Sequence, residues 1–166
     1  MDEPTIHETE VDGVRCVWLD AARPFTAVLL FRVGMMDEPL RMRGISHLVA
    51  HLGLLRFHGT ETTFNGYVAL RETGFVGEGP PDQVGTFLQE VCTSLQDLPM
   101  DRIELETSVL RQEEAMAGTD PASVIATYYF GPRGLGVTTF PQFGLHWLGP
   151  SELEDWVSRY FTKENA

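Results

Sequence analysis

Cysteine is scarce in this chain. Cys16 and Cys92 are the only two among 166 residues, too few for a secreted disulfide framework, and neither neighbours another metal-type residue. They read as small buried hydrophobes in a reduced compartment. Positive charge is scarce too: 12 Lys and Arg stand against 24 Asp and Glu, for a net charge of −12 and a pI near 4.7. That balance argues against nucleic acid and against anionic membranes as partners. No apolar run is long enough to span a bilayer, and the acidic start Met1-Asp2-Glu3-Pro4 is unlike a signal peptide. We read the chain as cytoplasmic. It shows no internal repeat, low-complexity tract or interdomain linker. What it does have is 43% hydrophobic and 22% charged residues, the composition of an ordinary soluble globule with one core.

The pattern along the chain predicts strands first and helices after. Val14 to Leu19 reads as a strand after an Asp12-Gly13 turn. Phe25 to Val33 reads as a second, more apolar strand, central in its sheet. A helix is expected from Gly44 to Leu55. Thr62 to Val68 is β-prone, with Gly66 marking a bulge or a close backbone approach, and Thr73 to Gly77 is its expected partner. Pro80-Pro81-Asp82 signals a helix start, and Val84, Phe87, Leu88, Val91 and Leu95 share a helical face to about Gln96; another helix follows over 101–117, with Gly118 as its C′ residue. Asp120-Pro121 opens another helix through Tyr129. A capping box, Ser151 to Glu154, opens the last, whose apolar side is Leu153, Trp156, Val157 and Tyr160. Together these predict an α+β fold, a two-layer sandwich of mostly antiparallel sheet packed on helices.

One stretch carries chemistry: Gly44-Ile45-Ser46-His47-Leu48-Val49-Ala50-His51-Leu52. Two histidines four apart on a helix lie one turn apart on one face, a spacing that suits two imidazoles on a zinc ion. The order His-x-x-Glu-His is the inverted zinc-peptidase motif, its glutamate the general base. Here Ala50 holds that letter, so the ligand pair is intact and the base is not there. Taken alone, a His-x-x-x-His pair arises easily by chance. Zinc also needs a third ligand, and the helix over 101–117 offers Glu104, Glu106, Glu113 and Glu114. Glu106 and Glu113, seven apart, share nearly one face, and spacing does not choose between them. Glu104 and Glu114 read as a solvated face, and Arg41 and Arg43 as loop charges for solubility. Tyr128-Tyr129-Phe130 and Trp147 read as core.

The stretch Gly34…Asp37-Glu38-Pro39…Gly44-Ile45-Ser46-His47-Leu48-Val49-Ala50-His51…Phe57-His58-Gly59-Thr60 resembles the N-terminal signature of the insulinase/pitrilysin (M16) metallopeptidases. Glu106-Thr-Ser-Val-Leu-Arg-Gln-Glu113 resembles that family's second, glutamate-bearing helix. The segment from Leu148 to Asn165-Ala166 resembles its last helix and the chain leading to its next core strand. The resemblance covers about residues 10–166. It implies a single N-terminal catalytic-type domain over 1–166, without the family's C-terminal part or partner domain. It implies a zinc metalloendopeptidase that cleaves peptides with metal-activated water. His47, His51 and Glu113 would be the ligands of Zn2+ and Glu106 a supporting group behind them. Ala50 would stand at the base position, leaving this form inactive or severely impaired. The implied partners are a peptide substrate and a homologous M16 domain or subunit.

Asn65-Gly66-Tyr67 is open to plain turn chemistry; the matching family segment is an edge strand that pairs with extended substrate, reading backbone rather than side chains. Two further departures stand beside Ala50. The interval from His51 to Glu113 is shorter than the family's, the shortfall falling after Thr60, and the chain stops where the family continues into another strand. An alanine at that one letter has the form of a deliberate exchange that traps a bound peptide, which we favour over natural loss. The alternative is a non-catalytic subunit, with a native alanine, that binds peptide or scaffolds an active partner.

Overall fold

The computed structural model describes residues 5–20, 24–57, 63–118 and 120–166. Two strands, β1 (Ile6–Val11) and β2 (Val14–Leu19), form an antiparallel hairpin. Asp12 and Gly13 turn it at positive φ, 52° and 84°, the two-residue turn whose twist matches the strands. β1 is an element the sequence pattern did not predict. Five of its six residues are exposed, so no buried alternation marks it.

Three more strands, β3 (Phe25–Phe31), β4 (Thr63–Val68) and β5 (Thr73–Gly79), make an antiparallel sheet in the order β3-β5-β4. β5 is therefore central, and β3 is a border strand among the described residues, contrary to expectation. Its apolar run points both ways: Leu29 and Phe31 turn inward, while Val28 and Leu30 remain exposed on the other face. It also ends two residues early, where Val33 N turns back to donate to Phe31 O. β4 and β5 pair without a bulge from Thr63↔Glu78 to Val68↔Thr73. Gly66 is instead a close approach, since a Cβ there would sit 2.7 Å from Leu54 Cδ1.

The described residues form five α-helices, α1 (Ile45–Leu54), α2 (Pro81–Gln96), α3 (Ile103–Met116), α4 (Pro121–Phe130) and α5 (Pro150–Tyr160), of which α1 and α2 pack on the sheet. This is the expected α+β sandwich of antiparallel sheet on helices. α1 is its centre, packed by β4, α2, α3 and α5. Ile45, Leu48, Val49 and Leu52 are fully buried with Phe75, Phe87, Val91, Leu110, Leu153 and Trp156. Burying each such side chain contributes about 1.5–3 kcal/mol. Before its last residue, α1 leaves only His47 and His51 unburied. The core thus fixes the rotation of the helix and points one stripe, the histidine stripe, outward.

Other expectations need correction. α3 begins at Ile103 after a 3-10 turn over Met100–Arg102, and Gly118 is not left-handed. α5 starts earlier than read: Gly149 is its N-cap, Pro150 its first residue, and Glu152 reaches back to accept from Gly149 N at 3.2 Å. Proline at that position has no N–H to leave unpaired, which moves the start. Tyr128, Tyr129, Phe130 and Trp147 are exposed, not core. Cys16 is half-buried and Cys92 exposed. His58, Gly59 and Thr60, and the shortening read after Thr60, lie outside the described residues. No helix among the described residues is long and apolar enough to cross a membrane.

Candidate metal centre

The site begins with the entry into α1. Gly44 caps the helix at φ 95°, a left-handed conformation suited to glycine. The donors of the first turn go to Glu38. Its carboxylate accepts from Gly44 N and Ser46 N, each at 3.0 Å, and from the Arg43 guanidinium at 2.6 Å. Arg43 is 4% exposed and so is Glu38. Arg43 is thus a buried ion-pair partner rather than a solubility charge. A negative group at a helix N-terminus also complements the helix dipole. Ser46 Oγ accepts from Trp156 Nε1 on α5 at 3.2 Å, a second tie on the same turn.

On the outward stripe the two imidazoles meet at right angles, centroids 4.9 Å apart. α3 crosses beside them and supplies two carboxylates. Glu113 Oε2 lies 3.8 Å from His47 Nε2 and 3.8 Å from His51 Nε2. Behind the rings, His51 Nδ1 lies 3.2 Å from Glu106 Oε2, and His47 Nδ1 lies 3.3 Å from Gln142 Oε1. A carboxylate and an amide oxygen only accept, so each Nδ1 carries its proton and each Nε2 presents a lone pair towards Glu113. Glu113, half-exposed, faces both Nε2 atoms, and Glu106, nearly buried, lies behind the His51 ring. Burial, and then the neighbouring His51, push the His47 pKa below the ordinary imidazole value, which keeps it neutral as a ligand must be.

His47, His51 and Glu113 offer two imidazole nitrogens and a carboxylate oxygen, all within 4.8 Å of one another. Tetrahedral zinc with bonds near 2.0–2.1 Å separates its ligands by roughly 3.3 Å, so the two imidazole–carboxylate separations would close by about half an ångström and no donor pair by more than about 1.5 Å. Two nitrogens, one carboxylate and an open side form the donor set of a catalytic rather than a structural zinc site. Ala50 is 2% exposed and belongs to the core cluster. Nothing in its methyl can accept a proton.

Asn65, Gly66 and Tyr67 lie on β4, a border strand of the sheet. Thr63, Asn65 and Tyr67 face outward, and Gly66 N donates to Asn65 Oδ1 at 2.9 Å. The strand's last residue, Val68, lines a cleft of about 540 Å3 that His47, Gln142, Glu114 and the Glu38–Arg43 pair also line. Sequence reading gave Gln142, Glu114 and Glu38 no part in orienting the two histidines. Glu114, read as solvated, accepts from Gln142 N at 2.6 Å and anchors that residue to α3. No periodicity could have revealed a contact spanning 95 positions from a Gly/Pro/aromatic loop. Glu38 stood inside the quoted motif, but its capping role needed coordinates.

Solved structures share this fold. The chain matches pitrilysin with TM-score 0.75 and 17% identity, over 99% of its own length and 20% of that chain. This is the M16 half-domain fold. A protease from Helicobacter pylori matches it with TM-score 0.75 and 14% identity, over 98% of this chain and 45% of that one. A glutamate-to-alanine mutant of the ferredoxin protease FusC, in complex with Arabidopsis ferredoxin, matches with TM-score 0.73 and 16% identity, over 98% and 21%. A chain of Candida albicans complex III2 matches with TM-score 0.71 and 14% identity, over 97% and 41%. The chain thus spans less than half the length of the solved chains it matches. No family model matches the sequence, and no curated protein matches it. At these identities the likeness establishes the M16 fold, whose protease examples bear on function only through the site's own geometry.

Proposed function

We propose that this chain is a zinc metallopeptidase-type domain that binds zinc and extended peptide, with hydrolysis disabled at position 50. One observation carries the reading: both Nε2 atoms face one carboxylate oxygen at 3.8 Å while both Nδ1 protons are engaged behind. His47, His51 and Glu113 would hold the ion. When bound, zinc would lower the pKa of a coordinated water and polarise a scissile carbonyl. Glu106 keeps the His51 imidazole in the ligating tautomer. β4 offers its outer edge to an extended peptide, with Asn65, Gly66 and Tyr67 beside it, and the cleft beyond Val68 would take the next side chain. In the complex of the FusC mutant, a protease lacking one glutamate holds a protein. By that analogy, Ala50 removes proton transfer and leaves binding.

Metal analysis of the purified chain should give about one zinc, lost on His47→Ala. Ala50→Glu should then raise cleavage of an unstructured peptide by about 10²–10⁴-fold, the usual worth of a positioned general base. A zinc-loaded Ala50→Glu chain with no gain in turnover would overturn the assignment. It would favour a second reading, for which the packing of Ala50 within the core cluster speaks: a non-catalytic M16-like subunit that binds peptide or supports an active homologous partner. The gene's own codon at position 50 separates an introduced alanine from a native one.

A further inference from the structure

The segment carrying Gln142 is tied down more firmly than a surface loop needs. Its backbone is held from two sides. Gln142 N donates to Glu114 Oε1 on α3, the residue next to the proposed ligand Glu113. Gly144 N donates to Arg43 O at the entry to α1, at 2.9 Å. The Arg111 guanidinium, again from α3, donates to Leu145 O. A long side chain loses rotamer freedom when it is fixed, and a backbone already fixed leaves only the side-chain torsions to order. The room Gln142 occupies is also reserved. A Cβ at Gly44 would fall 2.8 Å from Gln142 Oε1 and 2.9 Å from its Cβ. Residue 44 is therefore bare both because its φ is left-handed and because this amide lies against it.

We infer that Gln142 is a positioning residue for His47. Its amide oxygen, clamped between α1 and α3, holds the Nδ1 proton in place and aims the Nε2 lone pair at the metal. This rests on the reading of His47, His51 and Glu113 as zinc ligands and adds a residue to it. The two rings are then held differently. His51 is held by Glu106, a carboxylate on α3 itself. His47 is held by a neutral amide on a separate segment, which also forms part of the cleft wall with Phe140 and Pro141. Oriented acceptors behind ligating histidines typically account for 10–100-fold in metal affinity.

The test is zinc affinity, read by competition with a coloured chelator, together with the imidazole tautomer read by 15N NMR of the zinc-free chain. Gln142→Met keeps the length and apolar body of the side chain but cannot accept in the same way. It should weaken zinc 10–100-fold and mix the His47 tautomers, while the thermal midpoint of the zinc-free protein stays put. Gln142→Glu accepts the same proton and should restore both readouts, which a merely structural role would not explain. Glu114→Ala, which frees the segment without touching the amide, should weaken zinc in the same direction. If the parent chain binds zinc through His47 and His51 but Gln142→Met stays within twofold, the inference fails and the zinc reading stands. If the parent chain binds no zinc, both fall.

Discussion

At the scale of single residues, the site is two rings with opposite faces assigned to opposite tasks. Nδ1 donates inward and Nε2 points outward, and the outward lone pair does not survive protonation of the ring. The structure opposes that protonation at His47, where burial leads and the nearby His51 adds to it. The sign for stability follows. In the unfolded chain this imidazole titrates near 6.5, and in the folded chain it titrates lower. Between those values the unfolded chain binds more protons, so stability rises with pH. The contribution is fully kept above about 6.5 and is lost as pH falls through that value towards the folded pKa. Urea midpoints of the zinc-free protein, measured from about pH 7.5 down to 5, should therefore fall more steeply than those of His47→Gln. Parallel curves would mean that His47 is not depressed. Metal binding should weaken over the same interval, because the ion competes with that proton.

At the scale of elements, α1 depends on what happens before it starts. Glu38 satisfies two first-turn amides and the buried Arg43 with one carboxylate. Glu38→Ala would leave a buried guanidinium without its counter-charge, at a cost of about 3–5 kcal/mol. Glu38→Gln, still able to accept, should cost less. Chemical denaturation of the two variants checks both the size and the order; equal, small losses would show that the pair carries little. α1 also shows what a sequence can and cannot reveal. Its limits and its histidine stripe were legible because an apolar run flanked them and glycine opened them. β3 was misjudged because apolar residues on both faces imitate a central strand, whereas its outward Val28 and Leu30 are in fact exposed. Arg43 was misjudged because a basic residue in a loop looks solvated until its partner, five positions away, is placed beside it. The preference for Glu113 over Glu106 was not in the spacing at all: it came from the resemblance, and in the structure Glu113 is the carboxylate that faces both Nε2 atoms.

At the scale of the whole molecule, the described residues fall into a dense part and a more exposed part, α4, which packs on the turn over Gly134–Thr139. The dense part is α1, α2, α3, α5 and the sheet, where Leu110 and Leu153 are fully buried. α4 buries none of its residues and carries no charged side chain over Pro121–Phe130. Ile125, Tyr128 and Tyr129, at helical spacing, are 66%, 89% and 85% exposed. Aromatics in such a row read as core from sequence, because apolar periodicity records that a face is covered by something, not that the same chain covers it. Their energetic separation from the core is measurable. Ile125→Lys and Tyr129→Lys should each change the unfolding free energy by no more than about 0.5 kcal/mol, as surface exchanges do. Leu110→Ala, which opens a cavity between α3 and the core, should cost about 2–5 kcal/mol. If the lysine variants cost as much as the cavity, α4 belongs to the cooperative core after all, and the description of its exposed face is wrong. If they cost nothing while Leu110→Ala is severe, the metal centre rests on a core that does not need α4, and Glu113 keeps its place through the buried side of α3 alone.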